Sequence, residues 1–110
     1  MSAPTIVEIK AMTKKFDAQR KASDKEITAK RNAVNDARDA RRAELDAEFA
    51  TALAALENPT LSDVRELTKK FESARREADK GFTARRNALQ DERDEARKAI
   101  DAEFAAAMAS

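Results

Sequence analysis

Apolar residues recur along this chain at steps of eleven, and eleven residues make three turns of an α-helix at about 3.67 residues per turn. The stripe that they form is narrow, which is typical of helices that pack against each other along a seam. The pattern therefore predicts an all-α fold with coiled-coil-like, 11-residue periodicity. Its seam or partner-binding residues are Phe16, Ile27, Phe49, Phe71, Phe82 and Phe104.

The sequence also matches itself when it is shifted by 55 residues, which is five steps of eleven. Over the 52 pairs that this shift aligns, 25 are identical, and the pentapeptide DAEFA occurs at 46–50 and again at 101–105. A period of this length indicates one supersecondary unit used twice. We predict a tandem repeat with unit 1 at 4–57 and unit 2 at 59–110.

Each repeat unit carries the start signal of one long helix. Thr5 is followed three residues later by Glu8, and Thr60 by Asp63, which is the spacing of a capping box. The clearest breaker is the stretch ENPT at 57–60, because the residue before a proline is disfavoured in the α region. We therefore predict two unbroken helices of about 50 residues, joined by a turn at 57–60. The alternative breaks each unit near 30–36 and gives four short helices.

Charge predicts the direction in which the helices pair. Residues 9–31 hold 8 basic and 3 acidic side chains, whereas 36–57 hold 3 basic and 6 acidic ones, and the second unit repeats this division. Antiparallel helices set each basic half against an acidic half, and a short connection also favours antiparallel neighbours. The prediction is an antiparallel helical hairpin.

The register of the hairpin follows from matching its apolar positions. If the numbers of facing residues sum to about 120, Phe16 faces Phe104 and Phe49 faces Phe71. Arg38 then faces Phe82, where its guanidinium can lie over the ring.

A lone pair of helices buries little apolar surface. We therefore expect 1–110 to form a single helical-hairpin domain that self-associates as an antiparallel dimer, giving a four-helix bundle. The partner is then protein, and the first expected partner is a second copy of the chain.

Composition removes most catalytic chemistry. The chain has no His and no Cys, and its carboxylates are spread among Lys and Arg along helix surfaces. His- and Cys-based catalysis and thiolate metal sites are therefore excluded. We expect no enzyme activity, no cofactor and no metal site.

A ladder of arginines borders the apolar stripe and is identical in both units. One interpretation is an anion-binding row for phosphates or an acidic partner. The other is structural, with each outer arginine paired to the aspartate four residues later on its own helix, as in Arg20–Asp24. We favour salt bridges at the rim of the seam. The six positions are Arg20, Arg31, Arg42, Arg75, Arg86 and Arg97.

These features favour a non-enzymatic structural or adaptor protein that acts through helix–helix contacts, in an assembly such as a viral particle. Two alternatives are regulatory nucleic-acid binding through the arginine ladder and binding of an amphipathic helix to a lipid surface. The net charge of +1 gives no general attraction to polyanions, so we expect neither nucleic acid nor a membrane as the partner. The first ten residues lack the pattern of a signal peptide, and we expect a cytoplasmic protein.

Overall fold

The computed structural model describes residues 3–109 and contains two long α-helices. Helix α1 spans Ile6–Ala54 and helix α2 spans Leu61–Ala109, each 49 residues long. No strand occurs among the described residues. The predicted all-α hairpin is confirmed, and the alternative with a break near 30–36 is wrong because α1 continues through that stretch.

Both helices begin with the predicted capping box. The Oγ1 atom of Thr5 accepts a hydrogen bond from the amide of Glu8 at 3.1 Å, and the Thr5 amide donates to the Glu8 carboxylate at 3.4 Å. Thr60 and Asp63 make the same two bonds at 3.1 and 3.0 Å. The Thr60 amide bond is the main cause of the lowered pKa of Asp63. Each box satisfies amide groups that the first turn of a helix leaves free.

The connection between the helices occupies residues 55–60 and is longer than the predicted turn at 57–60. Helix α1 ends early because its last turn tightens: the Leu56 amide donates to the Leu53 carbonyl at 3.3 Å, three residues back. Asn58 then adopts φ 46°, in the left-handed region that asparagine enters more readily than most residues. The chain reverses there before Pro59.

The chain divides into two compact units. One comprises Met1–Arg31 and Asn87–Ser110, and is called the open-end unit below; the other is Asn32–Arg86 and is called the turn unit. In each, the basic N-terminal half of one helix packs on the acidic C-terminal half of the other. The expectation of a single domain over 1–110 stays a prediction.

In the open-end unit the two helices run antiparallel. Phe16 and Phe104 pack edge to face with ring centroids 5.4 Å apart, and Lys30 meets Glu92 farther along the same unit at 2.7 Å. In the turn unit, Phe49 and Phe71 pack in the same way at 5.3 Å. Both aromatic pairs were predicted from the register, and both are confirmed.

The buried core lies on α1. Four side chains of this helix are 2–5% exposed, whereas α2 has no buried residue. Of the predicted seam residues, Phe49, Phe71, Phe82 and Phe104 are half-buried. The four buried residues are Phe16, Ile27, Val34 and Leu45.

Candidate interaction surfaces

The rim of the seam in the open-end unit carries two reciprocal ion pairs between the helices. Arg20 of α1 donates from Nε and Nη2 to Oδ1 of Asp101 on α2, at 3.0 and 2.8 Å. Arg97 of α2 donates through the same two nitrogens to the carboxylate of Asp24 on α1, at 3.3 and 2.9 Å. Each helix therefore contributes one arginine and one aspartate to these ion pairs. The contact between Arg97 and Asp24 is bidentate, with one hydrogen bond to each carboxylate oxygen.

The turn unit carries the same arrangement with residues offset by 55. Arg42 donates to both carboxylate oxygens of Asp79 at 3.1 Å each. Arg75 forms an ion pair with Asp46. Four of the six ladder arginines are thus engaged by aspartates of the opposite helix.

These contacts correct the predicted pairing within one helix. Each of the four aspartates is bound by an arginine, but never by the one four residues before it. A helical side chain leans toward the N-terminus of its helix, so an arginine reaches backward more easily than forward. Arg20 illustrates this, because its Nη1 contacts Asp17 at 2.9 Å and not Asp24.

The ion pairs shift the pKa of their members in the direction that favours the charged forms. Hydrogen bonding from Arg97 lowers the pKa of Asp24, and hydrogen bonding from Arg42 lowers that of Asp79. The carboxylate of Glu92 raises the pKa of Lys30. All of these groups are partly open to water, so the shifts describe rim contacts and not buried charge.

The remaining ladder arginines, Arg31 and Arg86, form no salt bridge with an acidic side chain among residues 3–109, although the charge of Arg86 contributes to the lowered pKa of Asp79. The positions that would hold aspartates by analogy are amides, Asn35 and Gln90. Nη2 of Arg86 donates a hydrogen bond to the hydroxyl of Thr83 at 3.5 Å. The identical arginines of the sequence therefore separate into four that form salt bridges across the seam and two that do not.

The cation that lies over the ring of Phe82 is not the predicted Arg38. Arg85 lies 5.5 Å from its centroid, on the same helix. Arg38 instead contacts its neighbour Asp39 at 3.2 Å. The prediction that Arg38 covers Phe82 is wrong, because an adjacent carboxylate competes for the guanidinium.

A further surface is the outer side of α1 in the open-end unit. A groove of about 510 Å³ runs along this helix, with Ile9 and Ala18 among its apolar lining and Lys10, Lys14 and Lys21 around it. The charge pattern of the sequence indicates a basic half of α1 but does not by itself separate these lysines from the seam arginines. A helical wheel would have done so, since the lysines lie on the opposite side of the helix from Phe16.

Within 3–109, no group of three or more carboxylates, histidines or cysteines is placed to hold a metal ion. Neither helix of that range combines the length and apolar composition that a membrane crossing requires.

No protein family, curated protein or solved structure that was compared with this chain matches it. Its function must therefore be inferred from the surfaces themselves.

Proposed function

We propose that this chain is a non-enzymatic structural or adaptor protein whose hairpin associates with a second copy to form a four-helix bundle. The observation that carries this proposal is the unequal burial of the two helices. Helix α1 has four buried apolar residues and α2 has none.

The apolar residues of α2 are large and only half covered. In the turn unit they include Phe71 and Phe82, and in the open-end unit Leu89, Ile100 and Phe104. A second protein surface would remove the rest of their area from water, at roughly 25 cal/mol per Å² of apolar surface buried.

The total exposed area supports the same conclusion. The chain exposes 8122 Å², whereas a folded monomer of 12.2 kDa exposes roughly 6,000 Å² by the usual scaling with mass. The excess of about 2,000 Å² is enough for each copy to supply its share of a stable interface, which buries about 800 Å² per partner in a standard complex.

A second copy is the preferred occupant because a single hairpin has only two of the four helices that such bundles use. The 11-residue periodicity provides repeated apolar positions for that packing. Arg20, Arg42 and Arg97 of the ladder already bind aspartates at the rim of the seam. Phosphate binding by these three arginines would require their ion pairs to open.

The test is the concentration dependence of unfolding. If a second copy covers α2, the urea midpoint rises with protein concentration, because association stabilises the folded state by mass action. Ile100→Asn should remove this dependence. Ala102→Asn is the matched control, since Ala102 is an exposed residue of the same helix and should keep it. A wild-type midpoint that is independent of concentration over a hundredfold range would refute the proposal.

A further inference from the structure

We propose that the outer basic face of α1, formed by Lys10, Lys14, Lys21 and Lys25, docks an acidic helix of a partner protein. This extends the proposed function, because an adaptor that joins its own copies along α2 needs a separate face for a different partner.

The four lysines form one stripe on the solvent side of the helix. At about 100° per residue they fall within a sector of roughly 60°, and that sector lies roughly 140° from the seam residues Phe16 and Ile27. All four side chains are exposed, and none has a carboxylate partner among residues 3–109.

The groove beside the stripe contains only one carboxylate. Asp17 lines it together with three of the lysines, but its Oδ1 is bound by Arg20 at 2.9 Å. Arg20 also binds Asp101 at 2.8 Å, so Asp17 keeps part of its negative charge. Three lysines therefore surround one carboxylate in the groove, and the face retains an excess of positive charge.

The second helix provides a natural comparison, because the positions 55 residues later are also basic. They are Arg65, Lys69, Arg76 and Lys80.

The two faces differ in the acids between the basic residues. Ala11 and Ala22 of α1 correspond to Glu66 and Glu77 of α2, and Glu77 lies 3.5 Å from Lys80. The ion pair of Arg76 with Glu72 at 3.7 Å is not part of this difference, since Asp17 stands at the matching position of α1. The face of α2 thus carries two carboxylates, Glu66 and Glu77, that the face of α1 lacks.

The spacing of the lysines fits a helix better than a phosphate chain. Steps of four, seven and four residues give rises of roughly 6, 10.5 and 6 Å along the helix axis. Acidic residues at the same steps of a partner helix match this uneven pattern, whereas the phosphates of a nucleic acid follow one another evenly. The open-end unit also has a net charge of only +1, from 11 basic and 10 acidic residues, so a polyanion gains little from its overall field.

The chain already uses this chemistry between its own helices, where basic halves pair with acidic halves through side chains such as Lys30 and Glu92. On the outer face, lysines with long flexible stems suit a partner bound through separate carboxylates. Arg20, whose forked guanidinium group is better suited to phosphates, binds Asp101 across the seam instead.

The experiment uses a synthetic helical peptide with glutamates at steps of four, seven and four, labelled for fluorescence anisotropy at low salt. An isomer of the same composition with scattered glutamates is the peptide control. The wild-type chain should bind the ordered peptide more tightly than the isomer. Replacing Lys10, Lys14, Lys21 and Lys25 together by Gln should weaken binding on the order of tenfold, since each exposed ion pair contributes a small share.

The matched variant replaces Arg65, Lys69, Arg76 and Lys80 by Gln and should change binding less than about twofold. Two further variants test the comparison without removing a basic residue. Ala11→Glu with Ala22→Glu should weaken peptide binding, and Glu66→Ala with Glu77→Ala should create a second binding face on α2. Glutamate and alanine are both good helix formers, so these changes should leave the fold intact.

Equal loss of binding in the two Gln variants would overturn the proposal. So would tighter binding to a single-stranded oligonucleotide or to anionic phospholipid vesicles than to the ordered peptide, or no peptide binding at low salt. The concentration dependence of unfolding should be unchanged by Ala11→Glu with Ala22→Glu. Its loss in that variant would assign the face to a second copy of the chain instead.

Discussion

The two helices of this protein have similar patterns of apolar residues, but α1 has four buried side chains and α2 has none. Ile27, Val34 and Leu45 of α1 are buried, whereas the residues 55 positions later on α2 are half-exposed. Those residues are Phe82, Leu89 and Ile100, of which the first two are larger than their counterparts on α1.

A match in sequence pattern therefore does not fix burial. In a seam between only two helices, a large side chain such as Phe82 or Leu89 can cover a smaller one opposite but has nothing above it to complete its own surroundings. Size does not account for Phe16 and Phe71, which are identical, or for Leu45 and Ile100, which are isomers. The half-exposed residues of α2 form a surface that still has apolar area to bury. Outside the seam the same two helices differ again, since α2 has acids where α1 has alanines.

The largest predicted effect tests the unequal burial. Leu45 is 2% exposed, so Leu45→Ala should lower the free energy of unfolding by about 2–5 kcal/mol through lost burial and the cavity left behind. Ile100→Ala should cost clearly less in dilute solution and approach the Leu45 value at high concentration, where a second copy covers it. Urea denaturation followed by circular dichroism at two concentrations measures both. Equal costs in dilute protein would contradict the division between the helices.

A smaller effect is expected at the helix starts, where the two repeat units have the same capping box. Thr5→Ala and Thr60→Ala each remove the hydroxyl of a capping box and should each lower stability by about 1 kcal/mol. Thr28→Ala is the control, because Thr28 is exposed in the helix interior and alanine is the better helix former there. A control variant as unstable as the cap variants would show that threonine loss in general, and not capping, is being measured.

Breaking the ion pair between Arg97 and Asp24 should change Tm modestly. Arg97→Asp places like charges beside Asp24 and should lower Tm. Adding Asp24→Arg should restore most of the loss, because it rebuilds the pair with its charges reversed. Adding Asp101→Arg instead should not. Restoration by Asp101→Arg and not by Asp24→Arg would favour pairing within α2, as the i,i+4 spacing predicts.

The smallest predicted effect is the contribution of Asp24 to the pH dependence of stability. Because Arg97 lowers the folded-state pKa of Asp24, this carboxylate stabilises the fold above the usual Asp pKa of about 3.9, and the contribution is lost as pH falls through the lower folded value. Asp24→Asn should therefore flatten the acid side of a plot of Tm against pH.

The pKa of Lys30 is shifted in the opposite direction, so this residue serves as the comparison. Its raised pKa means that its contribution is lost as pH rises through the folded value, above about 10.4. Lys30→Gln should flatten the alkaline side of the curve and leave the acid side unchanged. An acid-side change in Lys30→Gln equal to that in Asp24→Asn would contradict the assignment of the acid effect to Asp24.

Much of the hairpin could be predicted from sequence because its signals are local or periodic. Thr5 with Glu8 defined a helix start, and the spacing of Phe16, Phe49, Phe71 and Phe104 gave a register that the aromatic pairs confirm. The end of α1 was missed by a few residues, because the tightening around Leu56 has no strong sequence signal.

The candidate surfaces were less predictable. An arginine with one aspartate four residues later on its own helix and another on the facing helix can pair with either, and only the three-dimensional direction of the side chain decides this. Arg20 could be paired with Asp24 on paper, yet it binds Asp101. The lower burial of α2 was also hidden, since the pattern of apolar positions is the same on both helices.

The proposed dimer is tested most directly by the mass of the wild-type chain in solution, measured by sedimentation equilibrium at micromolar to hundred-micromolar concentrations. The 12.2 kDa chain should approach twice that mass as concentration rises, because a second copy covers the half-exposed apolar residues of α2. A mass that stays at 12.2 kDa throughout this range would show that no second copy covers α2.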